Sequence, residues 1–428
     1  MGVFKLTSTR PIGSIISFFV LFKGFLLCIA LTAAFAPDYD TSTSLFFQRN
    51  NPEPAVSAFS LAHRLTRWDG IYFVSAAQPN GLLYEQQWAF GPAGLPALVS
   101  LLARLCGRTG QGPLAFPSLE PLLAIVISHV SHLAAVLALY HLTLRLSRDV
   151  RLALLSSLLH IVSPAGLFLA APYAESPFAC LTLLGHLLAV RSYEASRKAD
   201  LCLVGAGVVY GVSTLFRSNG LISGMLFAAE AMIAFISFLK THKPSDIRRL
   251  CAAVTGGLFV AAGSIVPQYF AWRVYCGTVV LRPWCSRLIP SIYTFVQEEY
   301  WNVGFLRYWT PEQLPLFLLA APVLYILIRS GAETIRKPSD VVALQEERLK
   351  PFVQVLAASQ TALALLAITN YHVQIISRIS SAYPVWYWWI AHSLIESDRR
   401  STGRVISTFM IMYAGIQGGL FASFLPPA

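Results

Sequence analysis

The chain has 428 residues, 55% of them hydrophobic and 12% charged, with a formal charge of +11 and a mean hydropathy of +0.59. Those values exclude an ordinary water-soluble globule and a disordered or low-complexity chain. Apolar runs of about 17–25 residues, the length a bilayer-spanning helix needs, recur along most of the sequence. They predict an all-α polytopic membrane protein forming one domain over residues 1–428.

The first run, Ile12–Ala36, follows Lys5 and Arg10 and is too long for a signal-peptide core. Pro37 stands directly after the cleavage-like Ala34-Phe35-Ala36, so the run reads as a retained signal anchor. Further spans are predicted at Leu122–Leu142, Leu152–Leu169, Phe178–Val190, Leu201–Phe216, Leu221–Leu239, Leu250–Ala271, Leu314–Ile328, Phe352–Thr369, Val385–Leu394 and Val405–Phe424, eleven in all. With the N-terminus in the cytosol, 20 of the 32 basic residues fall in cytosolic segments, as the positive-inside rule expects. The excess charge is then a topology signal, and no nucleic-acid partner is expected. This threading keeps Gly91–Cys106 on the outer side as a re-entrant or interfacial helix. It also leaves two long outer segments, 37–120 and 272–313.

All eleven basic residues assigned to the outer side are Arg, whereas the seven Lys lie in cytosolic segments or, for Lys23, in the first span. Arg forms planar bidentate pairs with phosphate and stays charged when partly desolvated. That bias points to phosphate-bearing lipids at the membrane surface. Seven Cys without a CxxC indicate neither a zinc site nor a disulfide framework, although Cys276 and Cys285 share one outer segment and could pair. Gly-rich phosphate loops, HExxH and GxSxG are missing, and Asp38-Tyr39-Asp40 sits against the end of the first span. Neither a metal nor a cofactor is expected.

Candidate chemistry gathers in the outer segments. In HRLTRWDGIYF, the residues His63, Arg64, Arg67 and Trp68 fall at helical spacing and suggest a short interfacial helix that Asp69 and Gly70 would end. Asp69 is either a helix stop paired with Arg67 or a carboxylate able to take a proton from a sugar hydroxyl. Glu85, in YEQQWAFGP, either faces water or serves the same site. Glu175, in SPAGLFLAAPYAES, is either a first-turn residue of the next helix or a paired functional acid. In FRSNG, Arg217 and Asn219 lie between two spans, and Arg217 either snorkels or holds a lipid phosphate. The stretch IPSIYTFVQEEYWNVGFLRYW offers Gln297, Tyr300, Trp301, Asn302 and Arg307, a mixture suited to sugar binding; Arg378 and His372 complete the outer polar set. The pattern also leaves open a lipid transporter, which would need charges deep inside spans; only Glu230 is plainly mid-span.

Taken in chain order, RWDGIYF, YEQQWAFGP, SPAGLFLAAPYAES, FRSNG, PWC, IPSIYTFVQEEYWNVGFLRYW with LPLFLLAAP, and HVQIISRISSAYPVWYW resemble the GPI mannosyltransferase 2 family over roughly residues 60–390. Gly91, where that family usually has Phe, is the visible departure; Ser163 in place of Asn is a smaller one. The resemblance implies a C-type glycosyltransferase (GT-C) fold in the endoplasmic reticulum membrane with a luminal site. It implies transfer of mannose from dolichyl-phosphate mannose, in α-1,6 linkage, to the first mannose of a GPI precursor, with inversion. On that reading Asp69 is the general base, and Arg67 and Arg217, with Arg378 and Arg307 in reserve, hold the donor phosphate. Glu85 and Glu175 orient hydroxyls or Arg side chains, and His63, Trp68, Asn219, Gln297, Tyr300, Trp301 and Asn302 contribute to the substrate pocket. Another dolichyl-phosphate-mannose transferase, with an N-glycan precursor or a protein as acceptor, remains the alternative. The motifs leave open a small accessory membrane subunit.

Overall fold

The computed structural model describes residues 10–49, 57, 59–79, 81, 84–89, 93–106, 119–194, 198–277 and 282–426. Lys5, Phe90, Gly91, Arg108, Arg197 and the Arg49 side chain lie outside the described residues. Among the described residues every regular element is helical. Eight helices among these residues are long and apolar enough to cross a membrane: α1 (Pro11–Thr32), α5 (Leu119–Ser147), α8 (Ala199–Phe216), α9 (Gly224–Thr241), α10 (Pro244–Cys276), α11 (Leu314–Arg336), α12 (Lys350–Thr369) and α14 (Arg400–Ala422). Shorter helices α2 (Leu61–Leu65), α3 (Asp69–Ala77) and α4 (Gly94–Leu105) fill the region between α1 and α5. The chain is a multi-pass membrane protein.

Three of the eleven predicted spans are shorter than that standard. Leu152–Leu169 becomes α6 (Val150–Ile161), of 12 residues, because Pro164 bars helical geometry at Ser163 and removes a donor. The turn that follows needs Gly166 at φ +50°. Phe178–Val190 and Val385–Leu394 become α7 (Glu175–Arg191) and α13 (Val385–Ile395), of 17 and 11 residues. α13 sits inside the bundle: Trp386 and Trp388 are fully buried, and their indoles donate to Ser380 O and Thr143 Oγ1 at 3.2 and 2.7 Å. A helix enclosed by protein in this way meets no lipid, so its length is not set by bilayer thickness.

Close helix contacts set the frame around the site. A Cβ on Gly207 would lie 2.3 Å from Gly256 Cα, so α8 and α10 meet backbone to backbone. Beyond α10, a small second core of Ala89, Ala271, Trp284, Ile292, Phe295 and Val296 packs the loop back onto the bundle. Cys276 and Cys285 are disulfide-bonded there, with Cα atoms 5.6 Å apart, so these two cysteines do pair.

Candidate active site

The expected interfacial helix ends early. α2 stops at Leu65, Trp68 takes φ +50°, and Asp69 opens α3 instead of closing the preceding helix. A carboxylate is favoured in a helix's first turn by the macrodipole, which is why Asp69 starts an element here. The turn is pinned from both sides. Arg67, fully buried, donates from Nη2 to both oxygens of Asp38 at 3.0 Å, and Arg64 donates to the same carboxylate at 2.6 Å. The Arg67 carbonyl accepts from the Tyr173 hydroxyl at 3.1 Å and from Gly70 N at 2.9 Å.

Thus presented, the Asp69 carboxylate is 43% exposed and stands at a cavity of about 280 Å³. Arg378 Nη1 lies 3.7 Å from Asp69 Oδ2, and Arg378 Nε lies 3.9 Å from Glu175 Oε1. Glu175, fully buried in the first turn of α7, also meets Arg217 Nη1 at 3.5 Å. One sequestered carboxylate therefore spaces two guanidiniums, of which Arg378 also reaches the half-open Asp69. Faces of Phe168 and Tyr173, 4.5 and 5.8 Å from the Arg378 guanidinium, hold that cation further.

The remaining wall comes from Ser218, Asn219, Tyr293, Gln297, Trp301, Tyr371, His372 and Gln374. Asn219 Nδ2 and Gln297 Oε1 are buried without hydrogen-bond partners. Such atoms are costly to leave unpaired and are suited to ligand hydroxyls. Burial, and then the nearby Arg378 charge, push His372 down to about 4, so its imidazole is neutral at pH 7. Burial raises the Tyr293 and Tyr371 phenols, which stay protonated. A second cavity of about 380 Å³ shares Ala89, Ser218, Asn219, Tyr293 and Tyr371 with the first. It runs between α8, α10 and α12 past Leu215, Ile222, Met225 and Leu366. The site is a polar basin that opens into an apolar groove between spanning helices.

Several expected site residues are elsewhere. Arg67 does not reach the basin, because Asp38 holds its guanidinium and Phe424 covers it at 5.2 Å. His63 contacts Ser44 Oγ at 3.1 Å and stacks on Phe47; burial, then Arg67 and Arg64, depress it to about 4. Trp68 packs on Phe424. Glu85 is buried away from the basin, accepting from Trp284 Nε1 at 3.2 Å and Tyr300 Oη at 2.7 Å, with Arg282 Nε at 3.4 Å. That bond to Glu85, more than burial, raises the Tyr300 phenol. Tyr300, Asn302 and Arg307 are absent from the basin wall. Conversely, Tyr293, Tyr371, Ser218 and Gln374 line the basin without having been predicted. A spacing signal was available: Tyr293, Gln297 and Trp301 recur every fourth residue, as do Tyr371, Gln374 and Arg378 at intervals of three and four.

A larger cavity, about 610 Å³, lies at the other end of α11 among Arg329, Glu333, Arg336, Lys337, Asp340 and Arg399. Its charges largely pair with one another, Glu333 with Arg399 and Lys337 with Asp340. It presents no counterpart of the acid–guanidinium–groove arrangement. Among the described residues no three His, Cys, Asp or Glu side chains converge as metal ligands would.

Basin, groove and bundle describe a multi-pass membrane protein with an acid–guanidinium pocket on helix ends, beside an apolar slot between spanning helices. The chain belongs to the mannosyltransferase (PIG-V) family, whose sequence profile matches residues 12–428. It is 55% identical to GPI mannosyltransferase 2 of Gibberella zeae over 98% of each chain. Against the proteins of that name from Chaetomium globosum and Aspergillus oryzae, identity is 44% and 38%, covering 98% and 99% of this chain and 97% of each relative. It is thus a glycosyltransferase, a mannosyltransferase of GPI biosynthesis. Among solved structures, the oligosaccharyltransferase AglB from Archaeoglobus fulgidus, in complex with an inhibitory peptide and a dolichol-phosphate, matches with a TM-score of 0.48 at 13% identity. That match covers 95% of this chain but spans only 56% of AglB. ArnT from Cupriavidus metallidurans, bound to undecaprenyl phosphate, matches with a TM-score of 0.43 at 14% identity, over 95% of this chain and 74% of ArnT.

Proposed function

We propose that the chain is a C-type glycosyltransferase that adds the second mannose of the GPI precursor, from dolichyl-phosphate mannose, in α-1,6 linkage, at the luminal face of the endoplasmic reticulum. The observation that carries this reading is the half-exposed Asp69 carboxylate, 3.7 Å from Arg378, in a basin continuous with an apolar groove. A lipid-linked sugar has the same division, with a polar head for the basin and an isoprenoid tail for the groove.

In the reaction, the acceptor 6-hydroxyl oxygen attacks C1 of the donor mannose. Its proton passes to Asp69, and the bond from C1 to the phosphate oxygen breaks, releasing dolichyl phosphate. In-line displacement converts the β-linked donor into an α-linked product. Arg217 and Arg378 meet the negative charge that grows on the leaving phosphate, the stage at which a fixed cation contributes most. Glu175 keeps both guanidiniums in place; Asn219, Gln297 and Trp301 receive sugar. Asp69→Asn removes the base and should lower kcat about 10²–10⁴-fold, with the protein still folded in the membrane. Near-normal transfer by Asp69→Asn would remove Asp69 from this role. An acceptor panel of GPI precursor, N-glycan precursor and protein, each with radiolabelled donor, tests the acceptor; incorporation into the GPI precursor alone is expected.

A further inference from the structure

Lys23 is unexplained by the chemistry above. It sits within α1, is 3% exposed, and is not paired with an acid in any described ion pair. A lysine at this depth in a span is costly, and methionine would fill the same space without a charge. Its Nζ donates to the carbonyl of Leu169 at 3.1 Å, across 146 residues of sequence.

That carbonyl begins the turn leading into Glu175. It accepts a second bond, from Ser176 Oγ at 2.9 Å, while Ser128 Oγ of α5 donates to Ala171 O at 2.7 Å. Tyr173, in the same turn, donates to the Arg67 carbonyl and lies against Gly70, where an added Cβ would be 3.3 Å from its ring. The turn therefore sets both acids: Glu175 directly and Asp69 through Tyr173.

We propose that Lys23 is a positioning residue for mannosyl transfer, fixing from the first span the turn that places Glu175 between Arg217 and Arg378. The inference rests on the reading that those two arginines hold the donor phosphate. When Lys23 no longer holds the turn, Glu175 shifts and the guanidiniums lose their spacing. Donor binding suffers first, and acceptor binding less.

The test uses the full-length protein in lipid nanodiscs, with KM for dolichyl-phosphate mannose and for the GPI precursor measured separately, below the melting temperature of every variant. Lys23→Met should raise the donor KM roughly tenfold and leave the acceptor KM within twofold, since small misplacements at a site are amplified in rate and binding. Lys23→Gln, which keeps an N–H donor, should restore the donor KM to within about threefold of wild type. Ser176→Ala removes the other donor to the same carbonyl without altering α1; it should shift the donor KM in the same direction and serves if Lys23→Met does not fold. A donor KM within twofold of wild type in both Lys23→Met and Ser176→Ala, with only the melting temperature lowered, overturns the proposal. So does equal impairment of Met and Gln variants. Arg217→Gln separates the two levels: an unchanged donor KM there overturns the phosphate reading, and this inference with it. A raised donor KM in Arg217→Gln alone overturns only the role of Lys23.

Discussion

Glu85 gives the sharpest test of how the site is built, because the sequence places it among the reacting acids and the structure gives it another task. Its carboxylate is buried and holds Trp284 and Tyr300 by hydrogen bonds of 3.2 and 2.7 Å. Arg282, half exposed at 3.4 Å, adds little, as solvent-screened pairs contribute about 0.2–1 kcal/mol. Glu85→Ala strands the indole N–H of the fully buried Trp284, costing about 1–3 kcal/mol. Loss of the bond to the partly exposed Tyr300 adds about 1 kcal/mol, giving roughly 2–4 kcal/mol in all. Glu85→Gln keeps one carbonyl acceptor for the Trp284 indole, replaces the other oxygen by an amide N–H that the Tyr300 oxygen can accept, and loses the charge assistance, about 1–2 kcal/mol. Thermal unfolding of purified protein, followed by tryptophan fluorescence, should therefore rank wild type above Gln and Gln above Ala. Transfer by Glu85→Gln, assayed well below its melting temperature, should stay within about threefold of wild type, because no proton moves through Glu85. A Glu85→Gln enzyme that melts like wild type but loses transfer a hundredfold would refute the reasoning and return Glu85 to the chemistry.

Three further outcomes are expected. Arg378→Gln should cut kcat/KM by about two orders of magnitude, whereas Arg307→Gln, outside the basin, should leave it within about twofold; steady-state kinetics with both substrates checks the contrast. His63 and His372 titrate near 4 when folded and about 6.5 when unfolded, so the unfolded chain takes up protons first as pH falls. Their contribution to stability is complete above pH 6.5 and is lost progressively towards pH 4; melting temperature against pH should show that slope, and the double variant His63→Asn/His372→Asn should flatten it. Reduction of Cys276–Cys285, or Cys285→Ser, frees a loop with a sequence separation of 9, worth about 2.5 kcal/mol of chain entropy. The loop's melting should move to lower temperature, read by the same fluorescence, with Trp284 as the local reporter.

Much of this arrangement was legible in the residues themselves. Asp69, Glu175, Arg217 and Arg378 each sit at the junction of an apolar run with a polar turn, where a charge is conspicuous; the structure brings Asp69, Arg217 and Arg378 to one basin and sets the buried Glu175 behind the two arginines. Arg67 and Glu85 were misplaced because their partners are remote: Asp38 lies 29 residues away, and Trp284 and Tyr300 lie 199 and 215 residues away. No local pattern announces such pairings. Tyr293 and Tyr371 were missed although their helical spacing with Gln297, Trp301, Gln374 and Arg378 could have flagged a shared face. Of the three predicted spans that fall short of a crossing helix, only Leu152–Leu169 overran its helix, because hydropathy is blind to backbone chemistry at Pro164; in Val385–Leu394 the apolar content serves protein contacts within α13.

The meeting of Gly207 with Gly256 also constrains how the enzyme breathes. With no side chains between them, α8 and α10 cannot slide or part without losing their whole seam, so that wall of the groove behaves as a fixed jamb. The facing side of the groove is lined instead by side chains, Ala362 and Leu366 of α12, so its two walls are built differently.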